Sequence, residues 1–376
     1  MGKKVFILGG AASIWIKEYI KNIHYKEGNE VWIALFEKPP AAYFEEYEKM
    51  GVHILDLSEK TGTAGNFYKT AGLIQFALKH RKCFFDHIEI HCPPSSRQAD
   101  IFAVAAKIIA VKTIVVFWGS DILRINDSQV RQIKKIVDIA DQINLSTGEM
   151  RKAFRHFFGN KYDTKISSAN FGSLAFEEIR KAKEGKSKNK LKGGFGLDPD
   201  RISVAVGYNG SQKQQHLKVI QALGRMDESS KNRIELMLHV PDCTFSYMDE
   251  LRAALTASGI SYIIMDEMIS LERIAELRCA MDIFIHAQVT DALSSTIREY
   301  IYAGTDLINP VWIRYDEFDR LGIEYCRYDD FDMLEECLKK LIDGEIRIDS
   351  ERNSEIIYRN YSWDTVRNEW LDIYVS

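Results

Sequence analysis

Apolar residues come in short runs, separated by stretches with helical period. Lys4–Leu8 (KVFIL) is such a run and stops at Gly9-Gly10. Glu30–Phe36, His53–Leu57, Phe85–His91, Thr113–Phe117 and Gln142–Ser146 follow the same pattern. Each is rich in β-branched or large apolar residues and predicts a buried strand. Phe67–Lys79 has the helical period instead. A second series begins after residue 200. Arg201–Val206, Ile234–Val240, Ser261–Met265 and Met281–His286 predict strands, alternating with helices over Gln214–Leu223, Tyr247–Ser258, Leu271–Cys279 and Ser295–Tyr302. Strand and helix in alternation mean parallel sheets covered by helices, so the chain reads as two doubly wound α/β domains in tandem. Arg180–Gly196 (RKAKEGKSKNKLKGGFG) interrupts the pattern. It is rich in Lys and Gly and predicts an interdomain linker, giving domains over 1–195 and 196–356.

The length of 376 residues suits two domains, and 46% apolar with 28% charged residues is a globular composition. No apolar run reaches membrane-spanning length. The start, MGKKVFILGG, lacks the pattern of a secretory leader. The six cysteines (Cys83, Cys92, Cys243, Cys279, Cys326 and Cys337) form no C-x-x-C pair, which argues against a disulfide framework or a cysteine zinc site and for a reducing cytosol. The net charge of −4 is unevenly spread. Residues 1–195 hold 31 Lys and Arg against 21 Asp and Glu, and the rest hold 19 against 33. A basic first module suits an anionic partner such as a phosphorylated substrate or an anionic membrane surface.

A first strand ending in two glycines raises the question of a dinucleotide site. The fingerprint G-x-G-x-x-G places backbone against a pyrophosphate. Here the residues are Gly9-Gly10-Ala11-Ala12-Ser13, without the third glycine, although Glu37 stands near the end of the next strand. A P-loop motif is absent from the sequence. The second domain carries more. Met281–Thr305 (MDIFIHAQVTDALSSTIREYIYAGT) is a strand, a loop with Asp291, and a helix through Glu299 to Gly304. If the helix starts near Ser294, its first N–H groups form an anion site at the carboxyl end of a parallel strand. A carboxylate at Glu299 can accept two hydrogen bonds from a diol.

This segment resembles the donor site of GT-B glycosyltransferases, especially those with an E-x7-E motif such as glycosyltransferase family 4. The resemblance implies two Rossmann-like domains facing across a cleft, with a nucleoside-diphosphate sugar as donor. It implies that Asp291 touches hydroxyls of the donor sugar, that Ser294, Ser295 and Thr296 hold the diphosphate, and that Glu299 binds ribose. The first carboxylate is Asp where that family has Glu, which leaves retention or inversion open. Ser203–Ile220 corresponds to the family's first donor-domain strand and turn, implying roles for Gly207, Asn209, Lys213 and His216 at the phosphates. The family's Arg is replaced there by Tyr208 or Asn209. The same segment is similar to the transferases that add 4-acetamido-4,6-dideoxygalactose to a lipid carrier. The resemblance also implies base recognition through backbone near Met265–Met268. Tyr361-Ser362-Trp363 with Trp370 resembles the family's last helix, which returns to the first domain, here over 357–376. Phe117–Asp121 (FWGSD) resembles its h-G-x-D turn.

Transfer in this fold requires no metal and no cofactor, because helix N–H groups and a cation stabilise the leaving diphosphate. Lys213 is the first choice for that cation, and a solvated lysine is the alternative. An inverting reaction needs a base. Asp121 is the first candidate, against a turn or capping role. His91, ahead of a Pro-Pro turn, is the second. Gly9, Gly10 and Ser13 form a loop toward the acceptor or the donor phosphates, or simply a tight turn. Glu149–Tyr162 (EMRKAFRHFFGNKY) interleaves cations with phenylalanines, and Lys79–Phe85 does so in miniature. Either these helices meet an anionic membrane carrying a polyprenyl-linked acceptor, or the phenylalanines are core. No signature of a nucleic-acid-binding module is present. The expected function is sugar transfer from a nucleotide-sugar donor to a glycan or lipid-linked acceptor. A GT-B-fold sugar-nucleotide 2-epimerase and a non-catalytic nucleotide-sugar-binding module are the alternatives.

Overall fold

The computed structural model describes residues 2–59, 62–81 and 83–375. The chain divides into two compact units. Unit 1 is Met1–Gly172 with Trp363–Ser376, and unit 2 is Ser173–Ser362.

Unit 1 holds seven strands: β1 (Lys4–Leu8), β2 (Glu30–Leu35), β3 (His53–Asp56), β4 (Phe85–His91), β5 (Ala110–Val116), β6 (Gln142–Asn144) and β7 (Ile166–Ser167). They pair in parallel in the order β3-β2-β1-β4-β5-β6-β7. Unit 2 holds six: β8 (Ile202–Val206), β9 (Ile234–His239), β10 (Ser261–Met265), β11 (Ile283–Ile285), β12 (Asp306–Pro310) and β13 (Cys326–Tyr328). These run parallel in the order β10-β9-β8-β11-β12-β13. Both sheets therefore reverse their strand order beside the first strand, and such reversals open a crevice at the carboxyl ends of the two neighbouring strands. In unit 1 that point lies between β1 and β4. In unit 2 it lies between β8 and β11.

Gly9 and Gly207 end the first strand of their sheets and serve the same purpose. Gly9 has φ +82°, and a Cβ there would stand 2.2 Å from the His91 carbonyl oxygen. Gly207 has φ +66°, and a Cβ would stand 2.4 Å from His216 Nε2. Only glycine permits both the left-handed backbone and the close approach.

The last helix, Trp363–Val375, belongs to unit 1 and completes its core with Trp370, Ile373 and Tyr374. Trp370 Nε1 donates to the Asn170 carbonyl at 2.8 Å. Lys3 and Lys112 donate to the carbonyls of Tyr374 and Ile373 at 2.7 and 3.1 Å. Cations at a helix C-terminus satisfy its last carbonyls and complement its dipole.

The segment 180–196 is not a linker. It falls within two helices, Phe176–Gly185 and Lys188–Gly193, whose Phe176, Ile179, Ala182 and Leu191 enter the core of unit 2. Its lysines are partners for unit 2's acids. Lys188 and Lys192 reach Asp282 at 2.6 and 2.7 Å, and Lys186 pairs with Glu276. The boundaries at 195/196 and 356/357 thus move to 172/173 and 362/363. Part of the charge asymmetry arose from cutting these cations away from the acids they neutralise.

Candidate functional site

In unit 2 the site residues gather after β8 and β11. The loop after β8 is tied to the loop after β11 by two bonds. Val289 N–H donates to the Lys213 carbonyl at 3.0 Å, and Gln215 Nε2 donates to the Ala287 carbonyl at 2.7 Å. At the centre is Asp291. Its Oδ2 accepts from Ser294 N–H at 2.8 Å and from the Tyr315 hydroxyl at 2.9 Å. The Tyr208 hydroxyl lies 3.3 Å from Oδ1 and donates to Gln288 Oε1 at 2.6 Å. Burial first, then the Asp291 charge, pushes the tyrosine hydroxyls up, so both keep their protons and act as donors.

His286 ends the β11 strand turn and is fully buried. Its ring lies near-parallel to those of Tyr208 and Tyr315, at 18° and 27°, with both centroids 6.4 Å away. Nδ1 lies 2.8 Å from Asn309 Oδ1, an acceptor, so Nδ1 carries the proton and Nε2 is a lone-pair acceptor. That Nε2 has no hydrogen-bond partner among the described residues. Gln214 is fully buried with neither amide atom partnered, and His216 Nε2 is likewise unpartnered. Buried polar atoms without partners are costly, and these lie together beyond the carboxyl ends of the central strands β8 and β11.

Ser294 is the N-cap of the helix Ser295–Ala303, and Ser295 and Thr296 are its first two residues. Glu299 lies one turn in and is 6% exposed. Its Oε1 accepts from Ser295 Oγ at 2.5 Å and Ser173 Oγ at 3.1 Å, while Oε2 lies 3.8 Å from Arg278 Nε. Asp291 and Glu299 thus engage consecutive residues, Ser294 and Ser295, at one helix start.

The other expectations fare unevenly. Lys213 is exposed and places only its backbone in the loop network. Asn209 Oδ1 accepts from Ser211 N–H at 3.0 Å, a local turn bond. His216 is not a cation for the phosphates, because burial lowers its pKa to about 4, and Nδ1 lies 3.1 Å from the Tyr247 hydroxyl. Met265 ends β10, the edge strand, and its carbonyl accepts Val240 N–H at 2.8 Å. It stands two strands from β8, apart from the side chains around Asp291. Tyr315, Gln288, His286, Gln214, Ser173 and Arg278 were not expected. Tyr315 is 24 residues from Asp291 along the chain, a separation that carries no pattern.

In unit 1, Gly9, Gly10 and Ser13 line a pocket of about 410 Å³ together with Glu37, Cys92 and Trp118. Ser13 also caps the helix Ile14–Tyr19, its Oγ accepting from Ile16 N–H at 3.4 Å. Asp121 closes the turn after β5: its carboxylate accepts from Trp118 N–H at 2.9 Å and Gly119 N–H at 2.8 Å. Burial raises its pKa to about 6 against the pull of those N–H groups. His91 is fully buried and committed, with Nε2 3.1 Å from Glu89 Oε2 and Nδ1 accepting from Trp118 Nε1 at 3.4 Å. Neither ring nitrogen is presented to a substrate, so the structure corrects the view of His91 as a base at the acceptor.

The helix Gly148–Phe158 turns Phe154 and Phe158 into the core. Its cations are paired, Lys152 with Glu149 at 2.6 Å and Arg155 with Asp163 at 3.1 Å. It is a core helix with a solvated face rather than an interfacial one. Of the Lys79–Phe85 stretch, Lys82 lies outside the described residues, and Phe85 is core. Among the described residues no helix is long and apolar enough to cross a membrane, and no group of side chains is arranged to hold a metal ion.

No family model and no curated protein matches the sequence. Solved structures do match. Anabaena HepE in complex with UDP and glucose is 15% identical, over 98% of both chains, with a TM-score of 0.70. A glycosyltransferase from Rickettsia africae is 15% identical over 99% of this chain and 98% of its own, with a TM-score of 0.74. Sucrose-phosphate synthase from Thermosynechococcus elongatus is 10% identical over 100% and 98%, with a TM-score of 0.74. Together with the two parallel sheets and their shared strand order, these likenesses make the fold that of the GT-B class, two Rossmann-like domains in one chain.

Gly207→Ala is expected to destabilise unit 2 by about 2 kcal/mol or more, since it combines a left-handed backbone with a clash against a buried ring. Calorimetric unfolding reads this directly, and an unchanged transition would contradict it.

Proposed function

We propose that the protein is a glycosyltransferase that moves a sugar from a nucleoside-diphosphate sugar to a glycan or lipid-linked acceptor, in cytoplasmic assembly of surface glycans. The observation that carries this reading is the pair Asp291 and Glu299 at one helix start, beside the strand reversal of unit 2. Similar folds are known with UDP and glucose bound, as in HepE. In this reading the N–H groups at Ser294–Thr296 receive the diphosphate, Glu299 receives the ribose diol and Asp291 a hydroxyl of the sugar. Departure of the diphosphate is eased by fixed dipoles, with neither metal nor cofactor assigned a part. The acceptor lies with unit 1, whose pocket at Gly9, Gly10 and Ser13 gives it a place. Asp121 is the better base, with a raised pKa close to neutrality.

Calorimetric titration with UDP, GDP, dTDP and CDP tests the donor site. One of them is expected to bind in the micromolar range, and Glu299→Ala to weaken it by about 100-fold, the loss of two hydrogen bonds to a charged group. If none binds, the donor site is refuted.

A further inference from the structure

The turn that carries Asp291 is strained. Leu293 has φ +60°, a left-handed backbone that a bulky residue rarely adopts, and its side chain is buried in the core of unit 2. Such a conformation persists only where its surroundings over-determine it. Here the determinants are visible. Ser294 N–H closes the turn onto Asp291 Oδ2 at 2.8 Å, and the Tyr315 hydroxyl meets the same oxygen at 2.9 Å. Tyr315 is itself fixed. Asn309 Nδ2 donates to the Ile313 carbonyl at 2.8 Å, two residues ahead of Tyr315, and Asn309 Oδ1 holds His286. The ring of His286 is then near-parallel to both tyrosines.

Tyr208 occupies the turn after β8, where a phosphate-binding cation was expected. Instead its hydroxyl is directed to Gln288 and Asp291.

We propose that Tyr315, assisted by Tyr208, is a positioning residue that aims the Asp291 carboxylate at the donor sugar, and that neither hydroxyl serves the diphosphate. This rests on the donor-site reading above. It makes a distinction that a structural role would not. Without the Tyr315 hydroxyl, Asp291 still closes its turn through Ser294 N–H, so the helix start survives and the diphosphate subsite with it. What is lost is the fixed direction of the carboxylate, felt only by a ligand that carries the sugar.

The test compares each diphosphate with its sugar form: UDP with UDP-glucose, dTDP with dTDP-glucose, and GDP with GDP-mannose. Titrations use the wild type, Tyr315→Phe and Tyr208→Phe. Tyr315→Phe is expected to leave the diphosphate Kd within about 2-fold and to weaken the sugar form by about 10-fold or more, the scale of a hydrogen bond to a charged group. Tyr208→Phe, half-buried and therefore the safer variant for folding, is expected to act in the same direction but less strongly. Equal weakening of diphosphate and sugar form would show that the hydroxyls serve the phosphates and overturn the proposal. So would no change in either ligand. Failure of the donor reading looks different: no wild-type binding, or binding that Glu299→Ala leaves intact, removes the site itself and the proposal with it.

Discussion

Below pH 6.5 the protein is expected to lose stability progressively, as its buried histidines resist protonation. Five buried histidines are held below their ordinary pKa by desolvation: His87 and His216 to about 4, and His91, His239 and His286 in the same direction. A histidine whose folded pKa is depressed takes up its proton only in the unfolded chain. Its penalty is absent above the unfolded value and grows as pH falls from there toward the folded value. Each such group removes about 1.4 kcal/mol per pH unit. His87 in unit 1 and His216 in unit 2 each withdraw stability on this scale between the unfolded value and about pH 4, and His91, His239 and His286 act in the same direction. In unit 2 burial also raises the Asp306 pKa, an opposing effect, and in unit 1 the two histidines are opposed by Asp121. Its folded pKa of about 6 is raised, so protonation near pH 5 favours the folded form there. Calorimetry from pH 8 to pH 4 should show the unfolding temperature falling once the pH drops below 6.5. A stability that stays flat down to pH 5 would contradict the assignment of these histidines as buried and neutral.

That burial explains where sequence reading stopped. β1, β4 and β10 lie where the apolar runs placed them, because each run is bounded by a turn or a helix and has no competing period. The alternation of strand and helix also carried the fold class. Asp291 and Glu299 were legible because a strand, a loop and a helix start follow one another without interruption. The titratable candidates were not legible in the same way. His91 and His216 sit at strand and helix ends like any catalytic imidazole, and only the packing reveals that both are neutral and enclosed. Tyr315 and Gln288 meet the site through contacts between separate loops, which no local pattern encodes. The helices over 176–193 were missed for a related reason. Their sparse apolar positions look like a linker until Asp282 and Glu276 of the same unit accept their lysines.

The Asp291 and Glu299 carboxylates of unit 2 are thus held by neutral donors more than by ion pairs. Asp291 is surrounded by hydroxyls and an N–H, and Glu299 by two serine hydroxyls with Arg278 at longer range. Bonds from such donors to a carboxylate are charge-assisted, short and directional. Raised salt should therefore weaken this network little, since none of these contacts depends on an exposed charge.

Glu89→Ala is expected to cost unit 1 about 3–5 kcal/mol, the scale for removing one partner from a buried charged network. Glu89 lies within the β4 strand and is fully buried. The Tyr19 hydroxyl donates to Oε2 at 2.9 Å, His91 Nε2 lies 3.1 Å from the same oxygen, and His24 Nε2 lies 3.3 Å from Oε1. The Tyr374 hydroxyl joins the cluster through Tyr19 and lies 3.4 Å from His24 Nε2. Burial alone would raise the Glu89 pKa, but the charge of His24 and the hydrogen bonds of His24 and His91 outweigh it and hold the carboxyl far below its usual range. Its stabilisation is therefore fully present above about pH 4.3 and is lost only as pH falls through the lower folded value. Alanine removes the acceptor and leaves two imidazoles and two hydroxyls facing a void. Because Tyr374 sits on the C-terminal helix, that helix should loosen first, exposing Trp370. For a unit of this size each kcal/mol lowers Tm by about 2–4 °C, so the unit 1 transition should fall by about 10 °C. Glu89→Gln keeps the shape and an acceptor and should lose less than half as much. A Tm within 2 °C of wild type for Glu89→Ala, with tryptophan emission unshifted, would mean that the cluster is not what anchors the last helix, and that Trp370 packing alone holds it.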